Sequence, residues 1–353
     1  MDNRIVSIDV IRGLCVVLMV VGHMYYLWVS TVDYIPGIII AFIIIIPSGV
    51  FPLVSGYAFY YYIDRENNKE IKKSKIFRVA LMRAGFIFFI STTITFLFGF
   101  FIGVHPNTII YWSIFQLIAV SMISFFFIPF LRIEFRMLSY LILSILIFFF
   151  CFIILNYEIK ILYILFNVGN FPFLPWAIYF LFGIFIADLT KNFPENKIST
   201  LLLVYMSIGA IVITAFFLGI SNVTYMYIDL FFKNIGAFLI IYPILYFFMD
   251  LKGFESSLQN RLIQWGKVAF SVYYLHFGLL VMGLFILPFI INDIFSNGLS
   301  LYQYFISATI ILISIDIFLR LWKRYNYILG IEWAMSKFSK KSLFDQKTPE
   351  SVL

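Results

Sequence analysis

Three ionisable side chains in the first 23 residues are of types that could do chemistry together. Asp9, Arg12 and His23 lie in the apolar stretch Arg4-Ile-Val-Ser-Ile-Asp-Val-Ile-Arg-Gly-Leu-Cys-Val-Val-Leu-Met-Val-Val-Gly-His23. An imidazole titrates near neutrality, so it can take and return a proton or accept a transferred group itself. A guanidinium can orient an anionic or polarised partner, and a carboxylate can hold the guanidinium in place. Such groups cost about 2.5–3.5 kcal/mol each for Arg or Asp in the middle of a membrane helix, so they need a reason to be there. Their spacing supplies one. On a helix, eleven residues bring Arg12 and His23 to within about 20° of one another and set them about 16 Å apart along the axis. Val16 and Met19 fill the stripe between them, and Asp9 sits one turn before Arg12 on a neighbouring face. A single face thus runs from one membrane surface towards the bilayer middle.

The other polar groups in apolar surroundings are few. Of three histidines, His105 falls on the short turn after the third apolar segment and is read as a hydrogen-bonding residue. His276 falls at mid-depth in the ninth segment; helix packing is its simplest reading, and a second base its alternative. Arg83 lies one turn inside the third segment, where it can snorkel to the interface or, with Lys72, Lys73, Lys75 and Arg78, form a phosphate-binding mouth. The lysines also fit a plain topology signal. Asp316 and Arg320, four apart, are expected to pair. Ser55-Gly56 permits close backbone approach. No Walker A loop, GxSxG, HExxH or carboxylate cluster of metal-ligand spacing occurs, so neither an ATP-driven pump nor a metalloenzyme is indicated and no metal is expected.

The elements that must carry these residues are membrane helices. The chain has 353 residues, 63% hydrophobic and 12% charged, against about 45–50% and about 25% in soluble domains. The long unalternating apolar runs exclude a β-barrel. An all-α polytopic bundle of about ten transmembrane helices follows, over approximately 8–29, 38–63, 77–102, 109–130, 137–155, 175–190, 198–219, 230–250, 264–291 and 301–322. Pro47 and Pro52 predict a kink or break in the second. Residues 1–323 form one transmembrane domain, followed by a basic tail over 324–353. The first helix carries Asp9 and Arg12 and lacks a small-residue cleavage site, so it is not read as a signal peptide. Cys15 and Cys151 sit in apolar runs, which argues against a disulfide.

The net charge of +7 is a topology signal and not a nucleic-acid one. The 64–78 connection holds six basic residues. Arg132 with Arg136, Lys191 with Lys197, Lys252 with Arg261, and the tail mark the other basic turns. The alternate turns at 30–37, 103–108, 220–229 and 292–300 have no Lys or Arg. Both termini are therefore expected in the cytoplasm, with a cellular plasma membrane as the expected location. The apolar 156–174 connection reads as an interfacial or re-entrant segment on the outer side.

The segments Arg4-Ile-Val-Ser-Ile-Asp9, Arg12-Gly-Leu and Met19-Val-Val-Gly-His23 resemble the opening of the membrane acyltransferase superfamily. That superfamily includes the acyltransferase-3 and heparan-α-glucosaminide N-acetyltransferase-like proteins, and the Arg-x10-His spacing matches the acyltransferase-3 pattern. Further pieces, in order, resemble bacterial and archaeal relatives of the second group: Phe51-Pro-Leu-Val-Ser-Gly-Tyr57, Trp112-Ser-Ile-Phe-Gln116-Leu-Ile-Ala119, Phe171-Pro-Phe-Leu-Pro-Trp176 with Phe182-Gly183, and Gly266-Lys-Val-Ala-Phe-Ser-Val-Tyr-Tyr-Leu-His276. Through these motifs Ser55, Gln116 and His276 become secondary site candidates. The chain departs from the animal N-acetyltransferases, which carry Asn at the position of His23 and a histidine at that of Tyr34, so heparan-type specificity is not implied. Arg78-x4-Arg83 only approximates the Arg-x2-Arg pair of the acyltransferase-3 proteins.

The resemblance implies transfer of an acyl group, most simply acetyl, from cytoplasmic acyl-CoA to a hydroxyl or amine of a sugar or glycolipid at the outer face. The polyanionic CoA would meet Lys72, Lys73, Lys75, Arg78 and Arg83, its thin arm would follow the first-helix stripe, and His23 would serve as general base or acyl carrier. Arg12, held by Asp9, would orient the donor or stabilise charge near the thioester. Acyl-CoA, the acceptor and membrane lipids are the expected partners. The rival class is a transporter or flippase in which Asp9, Arg12 and His23 relay protons or bind a lipid head group.

Overall fold

The computed structural model describes residues 5–29, 34–102, 112–157, 171–217, 226–290 and 300–344. Its α-helices are α1 Val6–Trp28, α2 Tyr34–Asn68, α3 Lys73–Ile102, α4 Ile114–Ser124, α5 Ile133–Tyr157, α6 Phe173–Asn192, α7 Ile198–Phe217, α8 Met226–Leu245, α9 Ser257–Lys267, α10 Ala269–Ile290, α11 Leu301–Lys323 and α12 Ile331–Phe344. The described residues form no strand, and the protein is all-α. Seven of these helical segments are long and apolar enough to cross a membrane, and the shorter apolar segments Ile114–Phe130 and Ala269–Leu280 accompany them. Large apolar side chains such as Phe89, Phe135, Leu141, Leu203 and Ile211 are exposed, as lipid-facing residues are. His105, the turn at 103–108, half of the turn at 30–37 and most of those at 156–174, 220–229 and 292–300 lie outside the described residues.

Each of the ten expected apolar segments holds a helix, with four revisions. Pro47 and Pro52 do not interrupt α2, which runs for 35 residues. The fourth segment is an 11-residue helix followed by a 3-10 turn at Ile128–Phe130. The eighth holds Pro243 within its α-helical part and passes into a π-helical turn at Tyr246–Leu251. The ninth is two helices, because Val268, at φ −120° and ψ 34°, leaves the helical region between α9 and α10.

The chain divides into two compact units. The first comprises Met1–Phe51 and Leu202–Ala334. Its centre is α1, whose membrane span is 56% buried, with α8, the π turn, α9, α10 and α11 packed around it. Gly13 is what lets α9 approach, since a Cβ there would land on the Leu262 carbonyl. Tyr304 of α11 donates to the Val21 carbonyl at 3.0 Å. Asp316 pairs with Arg320 as expected, and also accepts from Trp265 Nε1 at 3.3 Å.

The second unit comprises Pro52–Leu201 and Met335–Leu353. Its centre is α6, 67% buried along its span against 11% for the lipid-facing part of α5. Gly183 admits α2 against α6, because a Cβ there would strike the Leu53 carbonyl. Asp188 of α6 is fully buried and accepts from Tyr60 at 2.7 Å, Tyr140 at 3.1 Å and Asn192 at 2.7 Å, with Arg136 at 3.2 Å. That network joins α2, α5 and α6 around one charge.

Candidate functional site

The first unit brings together the residues of the opening stretch and one more. Asp9 and Arg12 form the i,i+3 ion pair their spacing predicts, at 3.6 Å, with the guanidinium a quarter exposed. Beyond them the stripe is filled: Val16 and Met19 are both buried. Passage of a ligand's arm along it therefore requires side chains to move, and Met19 is the flexible one. Because α1 is a continuous helix, Arg12 stays about 16 Å below His23. It cannot touch an atom on which His23 acts, so of its two expected roles the geometry fits orientation of a donor along its length.

His23 lies on α1 against the face of α10 that presents Tyr273, His276 and Phe277. Its Nδ1 is 3.0 Å from Nε2 of His276. The two rings are within 19° of parallel, with centroids 5.1 Å apart, so they meet edge to edge through these nitrogens. The Phe277 ring packs on both, at 4.5 and 4.7 Å. His276 is 1% exposed, and its Nδ1 lies 3.1 Å from the Val272 carbonyl one turn earlier. His276 is thus a hydrogen-bonding residue between packed helices, as expected, and the partner it meets is His23.

Each helix carrying one of these histidines has its first N–H groups held by a carboxylate from elsewhere in the chain. Asp250, in the π turn, accepts from the backbone of Val6 at 2.7 Å and Ser7 at 3.0 Å. Glu332, at the start of α12, accepts from the backbone of Phe270 at 2.7 Å and Ser271 at 3.2 Å, and from the Ser271 hydroxyl at 2.5 Å. Ile331 N–H returns a bond to that hydroxyl at 2.9 Å. A carboxylate suits this place, because it meets unpaired N–H donors and the positive end of the helix dipole. Burial pushes the Glu332 carboxyl up from the usual range, against the downward pull of these hydrogen bonds. Glu332→Ala should cost about 1–2 kcal/mol of stability, and Glu332→Gln, which keeps an acceptor, distinctly less. Thermal melting in detergent reads the difference.

The remaining candidates belong to the second unit. Lys72, Lys73, Lys75 and Arg78 are exposed around the start of α3, with Lys73 Nζ 5.0 Å above the Phe130 ring. The Arg83 guanidinium lies 4.8 Å over the Tyr62 ring, and its buried Nε has no hydrogen-bond partner among the described residues. Ser55 is half-buried on α2. Gln116 is engaged at both ends of its amide: it accepts from Ser113 N–H at 2.8 Å, completing a capping box for α4, and donates to Thr92 at 2.7 Å. Among the described residues no three His, Cys, Asp or Glu side chains gather as a metal site would need.

Sequence reasoning passed over His276 as a partner of His23, both clamping carboxylates, and the buried pair Lys233 and Asn234 in α8. Lys233 had a signal, being a lone cation in an apolar run.

A family profile described as an acyltransferase domain, acyltransferase-3, matches residues 5–319 of the chain. No curated protein matches it.

Proposed function

Because the chain belongs to the acyltransferase-3 family, and so is a multi-pass membrane acyltransferase, we propose that it transfers an acyl group, most simply acetyl, from acyl-CoA to a hydroxyl or amine of a sugar or glycolipid. In this reading the protein sits in the plasma membrane with both termini cytoplasmic. The donor is then used from the cytoplasmic side, and the acceptor at the outer face. The alternation of basic and neutral turns supports that orientation.

The observation that carries the reading is the environment of His23. Its ring is held by α10, one nitrogen is engaged by His276, and the other has no hydrogen-bond partner among the described residues. The steps balance simply. His23 Nε2 takes the proton from the acceptor O–H or N–H as that atom attacks the thioester carbonyl. The carbon–sulfur bond breaks, and the proton leaves the imidazolium for the departing CoA thiolate, giving acylated acceptor and free CoA. Arg12, steadied by Asp9, orients the donor. Lys72, Lys73, Lys75 and Arg78, with Arg83, supply cations for the CoA phosphates.

Calorimetric titration of the purified protein with acetyl-CoA is the direct test. Saturable binding is expected, weakening several-fold when Lys72, Lys73, Lys75 and Arg78 are neutralised together, with a larger loss at low salt. A protein that only translocates a metabolite or lipid has no reason to bind CoA, so absence of binding overturns the reading. Unchanged affinity in a correctly inserted variant removes the basic residues from the donor site and returns them to topology.

A further inference from the structure

We infer that His276 is a positioning residue that fixes the tautomer of His23, with the Val272 carbonyl as the reference point. The inference rests on the reading of His23 as the proton-accepting group and adds how that group is prepared.

The argument runs outward from the backbone. A carbonyl oxygen only accepts, so the nitrogen 3.1 Å from Val272 O, His276 Nδ1, carries a proton. A neutral His276 then has its lone pair on Nε2, 3.0 Å from Nδ1 of His23. That contact is a hydrogen bond only if His23 Nδ1 is the donor. A neutral imidazole holds one ring proton, so His23 Nε2 is bare and is the atom able to remove a proton from an acceptor. With no partner on Nδ1 the ring would divide its population between two tautomers and two orientations. Here Tyr273 stands edge-on to both rings and Phe277 packs against both, which holds the ring planes as well.

When His23 becomes an imidazolium, the His276 lone pair still accepts its Nδ1 proton. This is the orienting part that a carboxylate plays behind the histidine of a Ser-His-Asp triad. A neutral acceptor suits a helix in hydrocarbon, where a further unneutralised carboxylate would be costly. His276 is itself kept from turning by its bond to its own helix, which Glu332 holds at the N-terminus.

The test uses full-length protein in lipid, with ring nitrogens labelled by 15N-histidine and His105 replaced by asparagine to leave two histidines. Solid-state NMR without substrate should find His23 protonated at Nδ1 and bare at Nε2, coupled to His276 Nε2. His276→Gln, whose amide oxygen can take the Nδ1 proton bond, should keep that tautomer. Its kcat should stay within about tenfold of wild type. His276→Leu, which fills the space without an acceptor, should give a tautomer mixture. Its kcat should fall by about 10–100-fold, while KM for acyl-CoA stays put. A bare Nδ1 on His23 in the wild type, or a leucine variant with unchanged tautomer and kcat, overturns the inference. The nitrogen shifts are read without turnover, so they decide the tautomer even if acyl-CoA proves not to be the donor.

Discussion

His23→Ala should abolish acyl transfer while acyl-CoA still binds with near wild-type affinity. Positioned acid–base catalysis contributes about 10²–10⁴-fold, and no other described histidine stands in its place, because His276 Nδ1 is turned to its own backbone and its Nε2 towards His23. The donor's phosphates are assigned to other residues, so binding is expected to survive. The substitution removes a ring that packs against Tyr273 and Phe277 of α10, and those two side chains remain on the contact, so folding is expected to survive. Transfer to membrane glycans by reconstituted protein, with chromatographic profile and CoA affinity as controls, gives the measurement. Full activity in a well-folded variant ends the mechanism. Loss of CoA binding along with transfer would move His23 from the chemistry to the donor site.

The largest effect on stability is expected in the other unit. Asp188→Ala should cost about 3–5 kcal/mol, the range for removing one partner of a buried charge pair. It strands Arg136, which among the described residues has only a 3.4 Å contact to each of Tyr60 and the Pro129 carbonyl beyond that carboxylate. It also deprives two tyrosine hydroxyls and Asn192 of an acceptor. Asp188→Asn keeps shape and an acceptor but not charge, and should fall between alanine and wild type. Thermal melting in detergent orders the three. A melting temperature unmoved by the alanine variant would mean that the network contributes nothing net, as fully apolar replacements of buried ion pairs sometimes do.

The sequence showed those parts of the site that depend on one helix. Asp9 and Arg12 meet because they are three apart, and the ten apolar segments follow from length and hydropathy. The His23–His276 contact spans 253 positions and could come only from the packing of α10 against α1. Asp250 and Glu332 look like ordinary charges of a turn and a tail until a helix end is placed beside each. Other misses had signals in plain view. Ser113-x-x-Gln116, Ser256-x-x-Gln259 and Ser300-x-x-Gln303 are capping-box patterns, and all three form. The first accounts for Gln116, and the second marks the start of the separate helix α9.

The two carboxylate clamps also set an order in time. Residues 6 and 7 wait for Asp250, and residues 270 and 271 wait for Glu332. A membrane protein is inserted as it is translated, so α1 enters the bilayer long before its cap exists, and α10 before its own. The start of α1 can therefore be held once residue 250 has been made, whereas the start of α10 is held only when the segment after α11 has left the ribosome. A chain released early, short of Glu332, would be inserted and yet lack the clamp that holds His276 against His23. Assembly of the His23–His276 pair is in this way tied to synthesis proceeding through Glu332.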